Sequence, residues 1–251
     1  MGRYLFGFIT YLLLGMGLSS PLASLRDTAH PNEILRKAES IRMPSGSVLL
    51  DIKVTEFSGK VPKAESSYRA YLRDSDHVLV EFVSPPSAKG KGLLLLGEHV
   101  WAFVPFYGKA IRVPLKQRLL GEVSVVDVMR SNYSRDYQAQ LEGETISGNK
   151  PAYVLLLQAK NPDKVYPKIK YLVSKKDFNP LSLEVFSGDG NSLRTLTFQE
   201  YQKVEGVSRP TLWIFQDSKK NQEITHLKFT KMERKIFEDM TFTKQFMQTL
   251  Q

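Results

Sequence analysis

Hydrophobic positions in this chain first change period near residue 44. From Pro31 to Met43, PNEILRKAESIRM, the apolar residues Ile34, Leu35, Ala38 and Ile41 recur every three or four positions, which predicts a helix with one buried face. Asn32 is placed to cap it, Glu33 suits the positive end of its dipole, and Pro44 with Gly46 stop it. Beyond that point the period falls to two: Val48, Leu50, Ile52 and Val54 alternate with Leu49, Asp51, Lys53 and Thr55, the pattern of a strand with one buried face.

The same alternation predicts a hairpin from Ser67–Arg73 and His77–Val83 across Asp74-Ser75-Asp76. Tyr68, Ala70 and Leu72 share its inner face with Val78, Val80 and Phe82. Three further strand-like segments follow between Lys89 and Pro114, separated by Gly97 and by Phe106-Tyr107-Gly108. Gly92, Gly97 and Gly108 stand where a turn or a close backbone approach excludes a Cβ. Leu115 to Ser131 breaks the pattern, since Leu119, Leu120, Val123, Val126 and Met129 suit one or two short helices, a lid or plug. Strands then resume at 137–142, 152–159, 168–174, 181–186, 193–200, 210–216 and 223–230, with turns rich in Gly, Asn, Asp and Pro between them. About a dozen strands joined by short turns predict a mainly antiparallel sheet that must curl over its own apolar face.

The N-terminus changes the picture of where this sheet works. Arg3 precedes an apolar run from Tyr4 to Leu18, and small residues follow between Ser19 and Leu25, the layout of an export signal. An uncleaved anchor is the competing reading, but the run falls short of the ~20 residues that a spanning helix needs. The expected organisation is a signal peptide over 1–23, cleaved between 20 and 25, and one domain over 24–251. The chain has no cysteine, so it has neither a disulfide framework nor the acylated cysteine of a bacterial lipoprotein. Its net charge of +9 fits solvated strand faces or a cationic rim toward lipid head groups or an acidic partner; export argues against nucleic acid.

Catalytic chemistry finds little support. His30, His77, His99 and His226 are scattered, and none lies in a nucleophile-elbow context or at the spacing that pairs two imidazoles on one helix face. Gly92-Leu-Leu-Leu-Leu-Gly97 has the glycine spacing of a phosphate loop, yet Glu98-His99 stands where Lys-Ser/Thr belongs. Asp127, Asp136, Glu142 and Glu144 have no aromatic sugar platform beside them in sequence, and Asp127 can face solvent from its helix. No cofactor or metal is expected. What remains is surplus apolar surface, and a sheet this wide either encloses a ligand space or takes a helix as filler.

The order of these elements resembles the LolA-like outer-membrane lipoprotein-sorting proteins, in a larger, uncharacterised branch. The likeness rests on the signal peptide, the leading helix, Gly92-LLLLG, Trp101-x-x-x-Pro105, Gly108-Lys109-x-x-Arg112-x-Pro114, Asp136-Tyr137 and the Phe242-Thr243 segment. The resemblance implies a curved, incomplete antiparallel β-barrel with an N-terminal helix and a short helical lid over a hydrophobic cavity. It further implies a non-enzymatic periplasmic carrier of lipid or lipoprotein acyl chains, working between an inner-membrane exporter of the resistance-nodulation-division type and an outer-membrane acceptor. A monomer is expected.

Strand parity assigns the cavity wall to Leu50, Ile52, Val54, Tyr68, Leu72, Val80, Phe82, Leu93, Leu95, Trp101, Phe103, Leu155 and Tyr171, with Lys109, Arg112 and Lys116 as head-group or partner contacts. Two rivals remain at this level: a periplasmic sensor or adaptor that uses the same sheet to bind a membrane protein, and an exported enzyme acting on lipid or glycan.

Overall fold

A computed structural model describes residues 30–114, 118–120, 123, 124, 127, 132–161, 164–220 and 222–250. The expected signal peptide over 1–23 lies outside the described residues, as do Leu115 and Lys116. Helix α1 runs Pro31–Arg42. Proline at its first position needs no N–H partner and has a preset φ, and Ile34, Leu35 and Ala38 are fully buried on one face. The predicted cap is corrected: His30 precedes the helix without a side-chain bond, and Asn32 lies inside the first turn. There its Oδ1 accepts the N–H of Ala139 at 3.0 Å, so its amide ties the helix to an edge strand.

Thirteen strands form one antiparallel sheet. The first half is a meander of β1 (Val48–Ser58), β2 (Val61–Leu72), β3 (His77–Ser84), β4 (Gly92–Leu96), β5 (His99–Phe103) and β6 (Ala110–Val113). After a separate two-stranded hairpin, β7 (Arg118–Leu120) with β8 (Val123–Ser124), a single helical turn α2 (Tyr133–Asp136) leads into the second meander. That half comprises β9 (Tyr137–Ser147), β10 (Lys150–Ala159), β11 (Lys168–Ser174), β12 (Pro180–Phe186), β13 (Ser192–Val204), β14 (Val207–Asp217) and β15 (Glu223–Arg234). The last strand returns to pair with the first, Val48 opposite Arg234 and Ser58 opposite Glu223, so the two meanders join along one central seam. β6 and β9 remain as edges, and the sheet does not close into a barrel.

Turn chemistry sets these strand boundaries. Gly97, first in the β4–β5 turn, and Gly108, which ends the turn after β5, take φ 57° and 62°, left-handed values that a side chain resists. A Cβ on Gly92 would meet Leu250 Cδ1 at 2.9 Å, so that glycine lets the C-terminal segment lie against the sheet. The predicted helices between 115 and 131 are corrected in part: Leu120 pairs with Val123 and Arg118 with Ser124, so the chain reverses there as a hairpin instead of continuing helically.

The sheet has two apolar faces with different partners. The inner face gathers Leu50, Ile52, Val54, Tyr68, Val80, Leu93, Leu95, Leu155, Tyr171, Phe198, Trp213 and Phe229 beneath α1, Val123 and Tyr133. The outer face of β3 to β5 carries Leu79, Leu94 and Phe103, covered by Phe242, Met247 and Leu250 of the C-terminal segment, which includes the short helix α3 (Lys244–Met247).

Candidate functional site

Most of the residues that strand parity assigns to the inner wall share one buried surface. Leu50, Ile52, Val54, Tyr68, Val80, Leu93, Leu95, Leu155 and Tyr171 are buried in one cluster, and Leu72 and Phe82 pack against it half-buried. Trp101 and Phe103 do not join them. The β4–β5 hairpin has a two-residue turn, pairing Leu96 with His99 and Leu95 with Val100. Partner numbers then sum to an odd value, so inward positions pass from odd on β4 to even on β5. Val100 and Ala102 therefore face inward, while Trp101 and Phe103 face the C-terminal segment. Lys244 sits over the Trp101 ring on that outer side.

Among the cationic candidates, Lys109 and Arg112 are exposed on the β5–β6 hairpin, and Arg112 Nη2 lies 2.6 Å from His99 Nδ1. Neither is part of the inner face. Lys116 lies outside the described residues.

Among the described residues, the cover over the inner face is short and is held by identifiable polar ties. Glu39 of α1 accepts the N–H groups of Tyr133 and Ser134 at 2.6 and 2.9 Å, which caps α2 from a neighbouring helix. Arg135 of α2 reaches Asp76 at 2.8 Å and Ser75 at 2.7 Å, so the turn that leads to β9 is tied to the β2–β3 turn. Arg209 of β14 donates to the carbonyls of Ser40 and Ile41, closing the last turn of α1.

One buried polar cluster was missed by the sequence reading. Asp127, which the sequence pattern leaves free to face solvent, is buried and faces Arg194 of β13, Nη2 to Oδ2 2.7 Å. Ser124 donates to the same carboxylate from its N–H at 2.8 Å and its hydroxyl at 2.5 Å. Tyr166 donates to Oδ1 at 3.2 Å and contacts Arg194 directly. Burial pushes the Tyr166 hydroxyl well above the ordinary phenol range, so it stays a neutral donor. The cluster pins the β7–β8 segment, whose Val123 is fully buried, to the inner face. The signal for it was Arg194 itself, which shares the inward parity of Leu196 and Phe198 and interrupts an apolar stripe.

Polar atoms also lie under α1. Arg42, buried at the end of that helix, stacks its guanidinium over Tyr133 at 4.7 Å and Trp213 at 5.5 Å. Burial raises the Tyr133 hydroxyl to about 12. The Tyr171 hydroxyl and Trp213 Nε1 are buried there with no hydrogen-bond partner among the described residues. A cleft of about 410 Å³ opens beside this region, lined by Arg36, Glu39, Arg42, Met43, Leu72 and Arg73 among others. A second, of about 420 Å³, is lined by Ser124, Val165, Tyr166, Leu193, Arg194 and Asp217 among others. Both volumes lie within the ~300–1,000 Å³ of small-molecule sites.

Similar proteins carry the same architecture. A LolA superfamily protein from Nitrosomonas europaea is 28% identical, with a TM-score of 0.81 over 87% of this chain and 99% of its own. A putative outer membrane lipoprotein-sorting protein domain from Vibrio parahaemolyticus, 17% identical, matches at a TM-score of 0.74 over 87% of this chain and 98% of its own. A DUF1329 family protein from Desulfovibrio piger, 15% identical, covers the same shares at 0.75. No curated protein matches the sequence. A family model described as "Uncharacterized protein" matches residues 74–249, well over half of the chain. The chain belongs to that family, and its fold is LolA-like.

Proposed function

We propose that this chain is a non-enzymatic periplasmic carrier, one domain over 24–251, that takes the acyl chains of a lipid or lipoprotein onto the inner face of its sheet. It would receive them from an inner-membrane exporter and deliver them toward the outer membrane. The observation that carries this reading is a continuous apolar inner face covered, among the described residues, by one twelve-residue helix, the small β7–β8 hairpin and a helical turn. Such a cover can lift without dismantling the strands. The likeness to the Nitrosomonas LolA superfamily protein supports it.

Physical chemistry favours that exchange. Each buried methylene contributes about 0.8 kcal/mol, so a long acyl tail that displaces the cover replaces one apolar contact by another, while in water it has none. Leu50, Ile52, Val54, Tyr68, Leu72, Val80, Phe82, Leu93, Leu95, Leu155 and Tyr171 form the wall in this reading, with Val100 and Ala102 in place of Trp101 and Phe103. The unmatched Tyr171 hydroxyl and Trp213 N–H are donors that an ester or carboxyl oxygen of the cargo would satisfy, at a gain of about 1–3 kcal/mol each. Lys109 and Arg112 are assigned to a head group or a partner protein.

Native mass spectrometry of protein released gently from the cell envelope tests the reading. A retained lipid mass that disappears on delipidation and returns with added fatty acid is expected. Folded protein that leaves the envelope bare and takes up no fatty acid would refute it.

A further inference from the structure

We infer that the β5–β6 turn is a bilayer-docking tip, which seats this protein on an anionic lipid surface independently of any cargo. The turn, Pro105–Tyr107 with Gly108 in the left-handed region, lifts two aromatic side chains off the sheet. Phe106 is 89% exposed and Tyr107 61%, their rings in edge-to-face contact at 5.4 Å, and Ile111 on the next strand is exposed too. Neither ring contributes to either core cluster. A folded chain leaves a phenylalanine this bare at a cost in solubility, and isolated aromatic tips of this kind fit a partner that takes them up.

Charge identifies that partner. The β3–β4 loop lies directly against the tip, since a Cβ on Gly90 would approach Pro105 Cγ to 3.1 Å. Lys89 and Lys91 of that loop, with Lys109 next to the aromatics in sequence, place positive charge at this end of the strands, whereas Arg112 reaches back along the hairpin to His99. Between Phe82 and Pro114 the sequence has a single carboxylate, Glu98, and it sits in the β4–β5 turn at the other end of those strands. Among the described residues no salt bridge engages Lys89 or Lys109.

Size argues for a membrane over a protein. Two rings bury roughly 150–250 Å² each, well under the ~1,200 Å² of a stable protein interface. An aromatic pair with lysines at the same end of the strands is instead the composition that settles at the head-group level of a bilayer, where the rings enter the acyl boundary and the ammonium groups meet phosphates.

The chain is free of cysteine, so Tyr107→Cys offers one labelling site for an environment-sensitive NBD fluorophore, and Phe106→Cys a second. Asn149→Cys, in the exposed β9–β10 turn at the other end of the strands, is the control. Phosphatidylcholine–phosphatidylglycerol vesicles should shift the emission of both tip labels to the blue and leave the control unchanged, with the effect weakened by salt and absent on pure phosphatidylcholine. Lys89→Glu with Lys109→Glu in the labelled chain should lower vesicle partitioning by at least tenfold, each lysine contributing about fivefold. Silent tip labels, or equal shifts at tip and control, overturn the proposal, as does partitioning unaffected by the charge reversal. Because the label reports the tip alone, a protein that docks but retains no lipid would fail as a carrier while this assignment stood.

Discussion

At the scale of single residues, Arg194 and Asp127 decide how firmly the hairpin sits on the inner face. Both are buried, and the pair is completed by Ser124 and Tyr166. Removing one partner of a buried pair strands the other charge, so Arg194→Leu should lower unfolding stability by about 3–5 kcal/mol. Replacing both, Arg194→Leu with Asp127→Leu, should restore most of that loss, because two apolar groups need no pairing. Urea unfolding of the three proteins measures this; a double variant as weak as the single would show that the cluster holds the hairpin by geometry beyond the charge pair. The arginine was readable in the sequence as a polar interruption of an inward stripe, but its acidic partner was not. Asp127 lies 67 positions away on a segment whose pattern suggested helices, and only the fold brings the two together.

Among the elements, α1 and most of β1 to β15 were legible because a single buried face imposes a strict period, and turn residues such as Glu205-Gly206, at φ 50° and 78°, mark the reversals. Illegible was which face each strand gives to which partner. The two-residue turn at Gly97-Glu98 moved Trp101 and Phe103 to the outer side, where the covering segment lies far along the chain, so no local pattern reported it. That outer cluster has a testable independence from the inner one. Phe242 is buried against the Leu79–Leu94 side and contacts His77, Phe237 and Arg73. Phe242→Ala should cost about 3–5 kcal/mol in chemical unfolding while leaving lipid retention per folded molecule unchanged. Loss of bound lipid in the folded variant would mean that the C-terminal segment communicates with the inner face.

For the whole molecule, what matters is the contrast between a large sheet and a small cover. The sheet is fixed by continuous ladders across thirteen strands, whereas α2 is joined to the first meander by the exposed contacts of Arg135 with Asp76 and Ser75. Exposed ion pairs contribute about 0.2–1 kcal/mol, too little to hold the protein folded but enough to bias a cover between two positions. Asp76→Asn should therefore leave thermal stability nearly unchanged and speed the uptake of a fluorescent fatty acid by about two- to fivefold, the factor that such an energy allows. Stopped-flow uptake compares it with the parent. The buried cluster at Arg194 should behave differently, since loosening it exposes Val123 and lowers stability together with any gain in rate. If both variants speed uptake, the cover lifts as one body; acceleration by Asp76→Asn alone would mean that cargo enters beside α2, where the Arg36–Arg73 cleft already opens, and that the β7–β8 hairpin stays in place throughout.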